Sequence, residues 1–304
     1  MSVHALPFVS VIIPVYNDAA RLALCLAALE TQTYPADRYE VIVVDNNSAV
    51  PVTEAIGSFS HAHFVREPRP GCAPARVTGI GHARGEILAS TDADCIPDSS
   101  WIANGVECFL NTPNCGLVGG RIEVFCEEPG QMGAAAILSL ATHLKQERFL
   151  RNGRWAMFAN TFTSRQVMER VGPINPNLMM CEEIEWGQRI HAAGYRQAYA
   201  PDAVVRHPAR SSIRQHCQRA LRHELAWKQL REIAGIGVGV RFWIGQHFIW
   251  PMRDTCLDVL RNPHLTLVQK LKATGLACLL IPLRVTAYIL MQLGVKFDIR
   301  KNWG

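Results

Sequence analysis

No CxxC pair, no Walker loop and no glycine-rich turn after the first apolar run occur in this 304-residue chain. Its ten cysteines, at 25, 72, 95, 108, 115, 126, 181, 217, 256 and 278, have no ligand-type spacing, which argues against a zinc ribbon or a dithiol redox motif. They are expected to be reduced thiols of a cytosolic chain, mostly core filler. The first apolar run, FVSVIIPV, passes straight into Tyr16-Asn17-Asp18. A dinucleotide fingerprint needs glycines at that turn, so that reading fails. A nucleotidyltransferase would carry a glycine-rich, arginine-bearing loop there, and that loop is missing too. GIGVGV at 235–240 follows a helix-like segment and reads as a turn or helix contact rather than a phosphate loop. Internal repeats and low-complexity stretches are absent, and MSVHALP has neither the basic nor the apolar region of a secretory signal.

The composition that remains, 49% hydrophobic and 19% charged, is that of a globular, enzyme-sized unit. The net charge of +5 conceals an asymmetry. Residues 1–204 hold 15 basic against 21 acidic side chains, and residues 205–304 hold 16 against 5. A basic tail suits anionic headgroups or phosphate-bearing ligands.

Continuous apolar runs at 8–15, 39–45 and 86–91 alternate with helical patterns at 19–32 and 73–83, and a weaker strand, HFVRE, lies between. That alternation predicts an α/β fold with a mostly parallel central sheet flanked by helices, and ligands then bind beyond the carboxyl ends of the strands. Asn17, Asp45 and Asp92 all fall at those ends. Past residue 100 the expected elements are a helix at 101–110, a strand at 115–125 and one helix over about 133–150. The tail is expected to be helical and basic from Ser211, with arginines at 214, 219, 222, 231 and 241 among aromatics at 227, 242, 243, 248 and 250. Residues 273–295 carry one charge, Arg284, and a proline at 282. That run is long enough to cross a bilayer, but a central arginine argues against a simple span and favours interfacial binding.

In GEILASTDADCIPD, Asp92 and Asp94 share a face of an extended segment, and like charges that close call for a cation or a donor array. The bland alternative is a turn or helix cap. Four segments, VSVIIPVYND, EVIVVDNNS, GCAPARVTGIGHARGEILASTDADC and CEEIEWGQRIHAAGYRQAYAPDAVVRH, resemble in order and spacing the family 2 glycosyltransferases, over roughly residues 8–210. The resemblance implies the A-type glycosyltransferase fold, with a glycosyltransferase domain at 1–210 (8–100 the nucleotide-sugar half, 101–210 the acceptor half) and a basic helical, membrane-associated tail at 211–304.

It also implies an inverting transferase that uses a nucleoside diphosphate sugar, UDP-sugar favoured, with Mg²⁺ or Mn²⁺ bridging the diphosphate. The acceptor would be a hydroxyl, lipid-linked or on a polysaccharide, at the cytoplasmic face of the inner or plasma membrane; no nucleic acid is expected as a partner. By the same resemblance Asp94 is the metal ligand, with Asp92 nearer the ribose or the metal's water shell. His207 completes the metal site, and Asp45 accepts from the nucleoside base. Pro14, Tyr16 and Asn17 form the pocket wall, and Arg76 reaches the donor. Asp45 has a plainer possible role, closing the DNNS loop as an Asx-turn.

Direct displacement needs a carboxylate opposite the leaving group to take the acceptor's proton, and MCEEIEW supplies it. Relatives usually read Glu-Asp there, which maps the base onto Glu183, one methylene longer; acids also simply favour a helix N-terminus. A second departure is Val77-Thr78 where many relatives place Asn, a hydrogen bond that is lost or passes to Thr78. A catalytically degenerate sugar-binding or scaffold protein is the non-enzyme alternative.

Overall fold

The computed structural model describes residues 6–293 except 51, 54–58, 60, 129–131, 143, 179 and 235–249, and also Val295. The chain forms two compact units, one of residues 1–123 and 145–207, the other of 124–144 and 208–303.

The first unit is built on strands β1 (Val9–Val15), β2 (Tyr39–Asp45), β3 (Ala62–Arg66), β4 (Ile87–Thr91), β5 (Ile96–Pro97), β6 (Cys115–Phe125), β7 (Asn160–Ser164) and β8 (Arg196–Pro208). They form an eight-stranded sheet in the order β3-β2-β1-β4-β7-β6-β8-β5. Helices α1 (Ala19–Glu30), α2 (Cys72–His82), α3 (Trp101–Asn111), α5 (Gln146–Gly153), α6 (Arg165–Val171) and α7 (Glu182–Ala192) belong to the same unit.

Every residue of β1, β2 and β4 is buried, the behaviour of parallel strands covered on both faces, and these were the runs that read as unbroken apolar sequence. β1 pairs in parallel with β2 and with β4, and β2 with β3. The rest of the sheet is mixed, since β4–β7, β6–β7 and β5–β8 run antiparallel. The β1–β2 register continues to Val15↔Asp45, whereas β1–β4 pairing stops at Ile12↔Ser90. Pro14, which has no N–H to give a ladder, lies just past that stop. The strands therefore part company at their carboxyl ends, where the order reverses from β1-β2-β3 to β4, the place at which such sheets hold ligands.

β7 is a polar strand, NTFTS, missed by the sequence reading. Its Asn160 is fully buried and satisfied: the side chain accepts from Trp101 Nε1 (2.8 Å) and donates to the carbonyls of Arg121 and Ala203 (2.9 Å each). A Cβ on Gly105 would stand 2.1 Å from the Phe162 ring, so α3 sits on β7 only because that residue is glycine.

In the second unit, α4 (Ala134–Thr142), α9 (Trp250–Arg261) and α10 (Leu267–Gln292) share a small apolar core of Ala135, Ile137, Leu138, Ala141, Val259, Ala273 and Leu276, and α8 (Ile213–Ala234) packs against α10. Residues 124–144 thus pack with the C-terminal helices, a different division from a single break at 210. The helix expected over 133–150 is two, α4 and α5, separated where Leu144 turns into the left-handed region at φ 63°. GIGVGV, Arg241 and the aromatics at 242, 243 and 248 lie outside the described residues.

Candidate active site

Two loops meet at the carboxyl ends of β1 and β2. Asn17, at φ 51°, donates from its backbone N–H to Ser48 Oγ (2.8 Å) and accepts at Oδ1 from Ala49 N–H (2.7 Å). Asp45, 7% exposed, accepts the Ser48 N–H at Oδ1 (2.9 Å), so it does close the DNNS loop, by a bond three residues on, and its other carboxylate oxygen has no hydrogen-bond donor among the described residues. Asn46, to which the sequence assigns no role, fastens the loop beyond. It donates to the carbonyls of Glu67 (3.0 Å) and Arg69 (2.6 Å) and accepts the Gly71 N–H (2.7 Å). Pro14 is buried in β1, and Tyr16 is 36% exposed at its end.

Arg76, 6% exposed on α2, bridges two carboxylates: Nη2 donates to Asp92 Oδ1 (2.7 Å) and Nη1 to Glu182 Oε1 (2.8 Å). Its guanidinium carbon stands 4.9 Å from the centre of the Phe158 ring. Burial pulls the Arg76 pKa down, but Asp92 and other acids nearby more than offset this, so the net shift is upward and the cation is firmly held. The aspartate pair is therefore not without cationic company, as the local sequence implies; its arginine comes from 16 residues upstream. Thr78 donates to a buried acid, Glu67, at Oε2 (2.5 Å). With Arg69 as its strongest partner, Glu67 is held at a pKa of about 2.

Asp92, Asp94, Cys95 and His207 bring one ligand atom each to within 4.8 Å of one another. His207 Nε2 is 3.8 Å from Asp94 Oδ1. Burial raises the Asp94 pKa, His207 opposes the rise and Asp92 adds to it. Burial also pushes the Cys95 thiol well up, and the two carboxylates and the imidazole are the donors in the set that suit a harder cation than a thiol does. A hard divalent cation fits that set.

α7 starts from Cys181, itself left-handed at φ 64°, and carries Glu182, Glu183 and Glu185 in its first turn. Glu182 is 3% exposed and accepts from Arg76, which makes it an anchor for that arginine. Glu185 is clasped by Arg189 at 2.5 and 3.0 Å, which makes it structural. Glu183 has its own backbone N–H and no side-chain donor among the described residues. Burial first, then the Glu182 charge, raises its pKa to about 8. A desolvated carboxylate without a cationic clasp suits proton abstraction near neutral pH.

A sheet of this order with such a cluster at its strand ends defines an α/β protein that takes its ligand beyond the carboxyl ends of its strands. The Glycosyl transferase family 2 profile matches residues 10–172. The chain is 38% identical over 210 residues to Glycosyltransferase AglE of Haloferax volcanii, covering 67% of this chain and 68% of that one. It is 22% identical over 235 residues, 72% of either chain, to the dolichyl N-acetyl-alpha-D-glucosaminyl phosphate 3-beta-D-2,3-diacetamido-2,3-dideoxy-beta-D-glucuronosyltransferase of Methanococcus voltae. Among solved structures, the mannosyltransferase PcManGT of Pyrobaculum calidifontis, in complex with GDP-Man and Mn²⁺, superposes with a TM-score of 0.63 at 22% identity, over 95% of this chain and 88% of its own. The chain belongs to glycosyl transferase family 2 and is a glycosyltransferase with the A-type fold.

Proposed function

We propose that this glycosyltransferase inverts, moving a sugar from a nucleoside diphosphate to an acceptor hydroxyl in one displacement. The observation that carries the reading is Glu183, an acid raised to a pKa of about 8. It is adjacent to Glu182, which Arg76 ties to Asp92. The acceptor oxygen bonds to the anomeric carbon as the bond to the diphosphate breaks; the acceptor proton passes to the Glu183 carboxylate, and the nucleoside diphosphate leaves with the bonding pair.

Asp94 and His207 would hold Mg²⁺ or Mn²⁺, with Asp92 toward the ribose or the metal's water shell. When bound, such a cation neutralises the charge that develops on the diphosphate. The free oxygen of Asp45 receives the nucleoside base between Pro14, Tyr16 and Asn17. Arg76 acts through Asp92 and Glu182, holding the donor side and the acceptor side in one frame.

The donor is a UDP-sugar or GDP-mannose, the latter being the sugar nucleotide bound by the Pyrobaculum neighbour. A lipid-linked hydroxyl is the acceptor class that the dolichyl-phosphate name of the Methanococcus relative supports. The basic C-terminal region supports attachment to an anionic membrane surface, at the cytoplasmic face, as a peripheral or monotopic protein. A donor panel with Mn²⁺, scored by released nucleoside diphosphate and by the anomeric configuration of the product, tests the proposal. Retained configuration would overturn inversion, and free pyrophosphate would make the chemistry nucleotidyl transfer.

A further inference from the structure

Helix α10 is apolar on two sides, and only one of them is covered. Residues Leu267–Leu290 are long and apolar enough to cross a bilayer, yet only 17% of the most apolar window is buried. Ala273, Leu276 and Ala287 face inward, the first two within the core shared with α4 and α9. Leu267, Val268, Leu271, Leu279, Ile289 and Leu293 are 49–74% exposed. At 100° per residue these six positions fall within a sector of about 120°, one continuous stripe along the helix. Lys272 is exposed near its start, and Arg214, Arg253 and Arg261 are exposed elsewhere in the same unit.

The inward side carries a charge that fixes how the helix can meet lipid. Arg284 Nε donates to Glu224 Oε1 of α8 at 2.7 Å, with Glu224 1% exposed and Arg284 18%. Arg231 of α8 lies 5.9 Å from the Tyr288 ring of α10. α8 has Arg214, Arg219, Arg222, Lys228, Arg231 and Glu232 along its length, so it cannot follow α10 into hydrocarbon. Crossing would require α10 to leave α8 and break the buried Arg284–Glu224 pair.

We propose that α10 lies along an anionic membrane surface without crossing it, its leucine stripe in the boundary between headgroups and acyl chains and its Arg284 turned inward to Glu224. The proposal rests on the membrane-surface reading above and adds the mode of attachment. Charge complementarity favours lipid over a second copy of the chain, because residues 205–304 carry 16 basic and 5 acidic side chains and two such surfaces would repel.

The test uses the full chain in a bacterial host, with His264→Cys before α10 or Leu293→Cys after it, and a membrane-impermeant maleimide as probe. Labelled peptides are identified by mass, so the native cysteines stay in place. Both ends should react in sealed inverted vesicles, and neither in intact spheroplasts. Labelling of one end in spheroplasts would mean that α10 crosses, overturning this inference and the monotopic attachment while leaving membrane association itself intact. Recovery in the soluble fraction, as monomer or dimer, would overturn both. As a second measurement, Leu279→Asp should move the chain from the membrane pellet to the supernatant with its circular dichroism unchanged. Retention of that variant in the pellet would overturn the stripe as the contact.

Discussion

The pH dependence of transfer should report Glu183 directly. Burial and the neighbouring Glu182 charge raise its pKa to about 8, so below that value the carboxyl is protonated and cannot accept the acceptor's proton. At pH 7 only about a tenth of the molecules carry it ionised. kcat/KM should therefore climb about tenfold per pH unit on the acid side and level off above about pH 8. Glu182→Gln removes the like charge and leaves Arg76 with one carboxylate fewer, and both changes lower the Glu183 pKa. The limb should shift to lower pH, each unit corresponding to about 1.4 kcal/mol of differential interaction between the two protonation states. Initial rates with saturating Mn²⁺, measured between about pH 5.5 and 9.5, would show it. A limb at the ordinary glutamate value, or one that stays put in Glu182→Gln, refutes the reasoning.

Asp94→Asn should abolish the Mn²⁺-dependent part of nucleoside diphosphate binding measured by calorimetry; equal affinity in Mn²⁺ and in EDTA would remove the cation from the account. Thr78→Val deletes the donor to Glu67 and should cost about 1.5–3 kcal/mol in urea unfolding, the range for a hydrogen bond to a charged group. Glu67, depressed to about 2, contributes stability that is complete above the ordinary glutamate pKa and is lost as pH falls through that lower value. Acid unfolding of Glu67→Gln should accordingly be flatter than that of wild type over this window, and parallel curves would contradict the assignment.

What could be read from the chain tracks how burial writes itself into sequence. β1, β2 and β4 are buried on both faces and show as unbroken apolar runs, and their ends place Asp45 and Asp92. β7 could not be found that way: Asn160 and Thr163 are buried but spend their polarity on hydrogen bonds to neighbouring strands and Trp101. Local reading also isolates a motif from partners distant in sequence. Asp92 reads as a charge in want of a cation although Arg76 holds it, and nothing in MCEEIEW shows that Glu182 holds Arg76 from 106 residues away. The break at Leu144 has no local signal, since leucine is a good helix former. Pro282 lies within α10, which starts at Leu267, six residues ahead of the apolar run at 273–295.

The most direct test of the central claim is transfer by Glu183→Gln beside its donor affinity. The substitution keeps the side chain's volume and removes the base. Donor binding with Mn²⁺ should stay near wild type while single-turnover transfer falls about 10²- to 10⁴-fold, the contribution of a positioned general base. Transfer at the wild-type rate in that variant, with the donor bound as before, would contradict the account and place the base elsewhere.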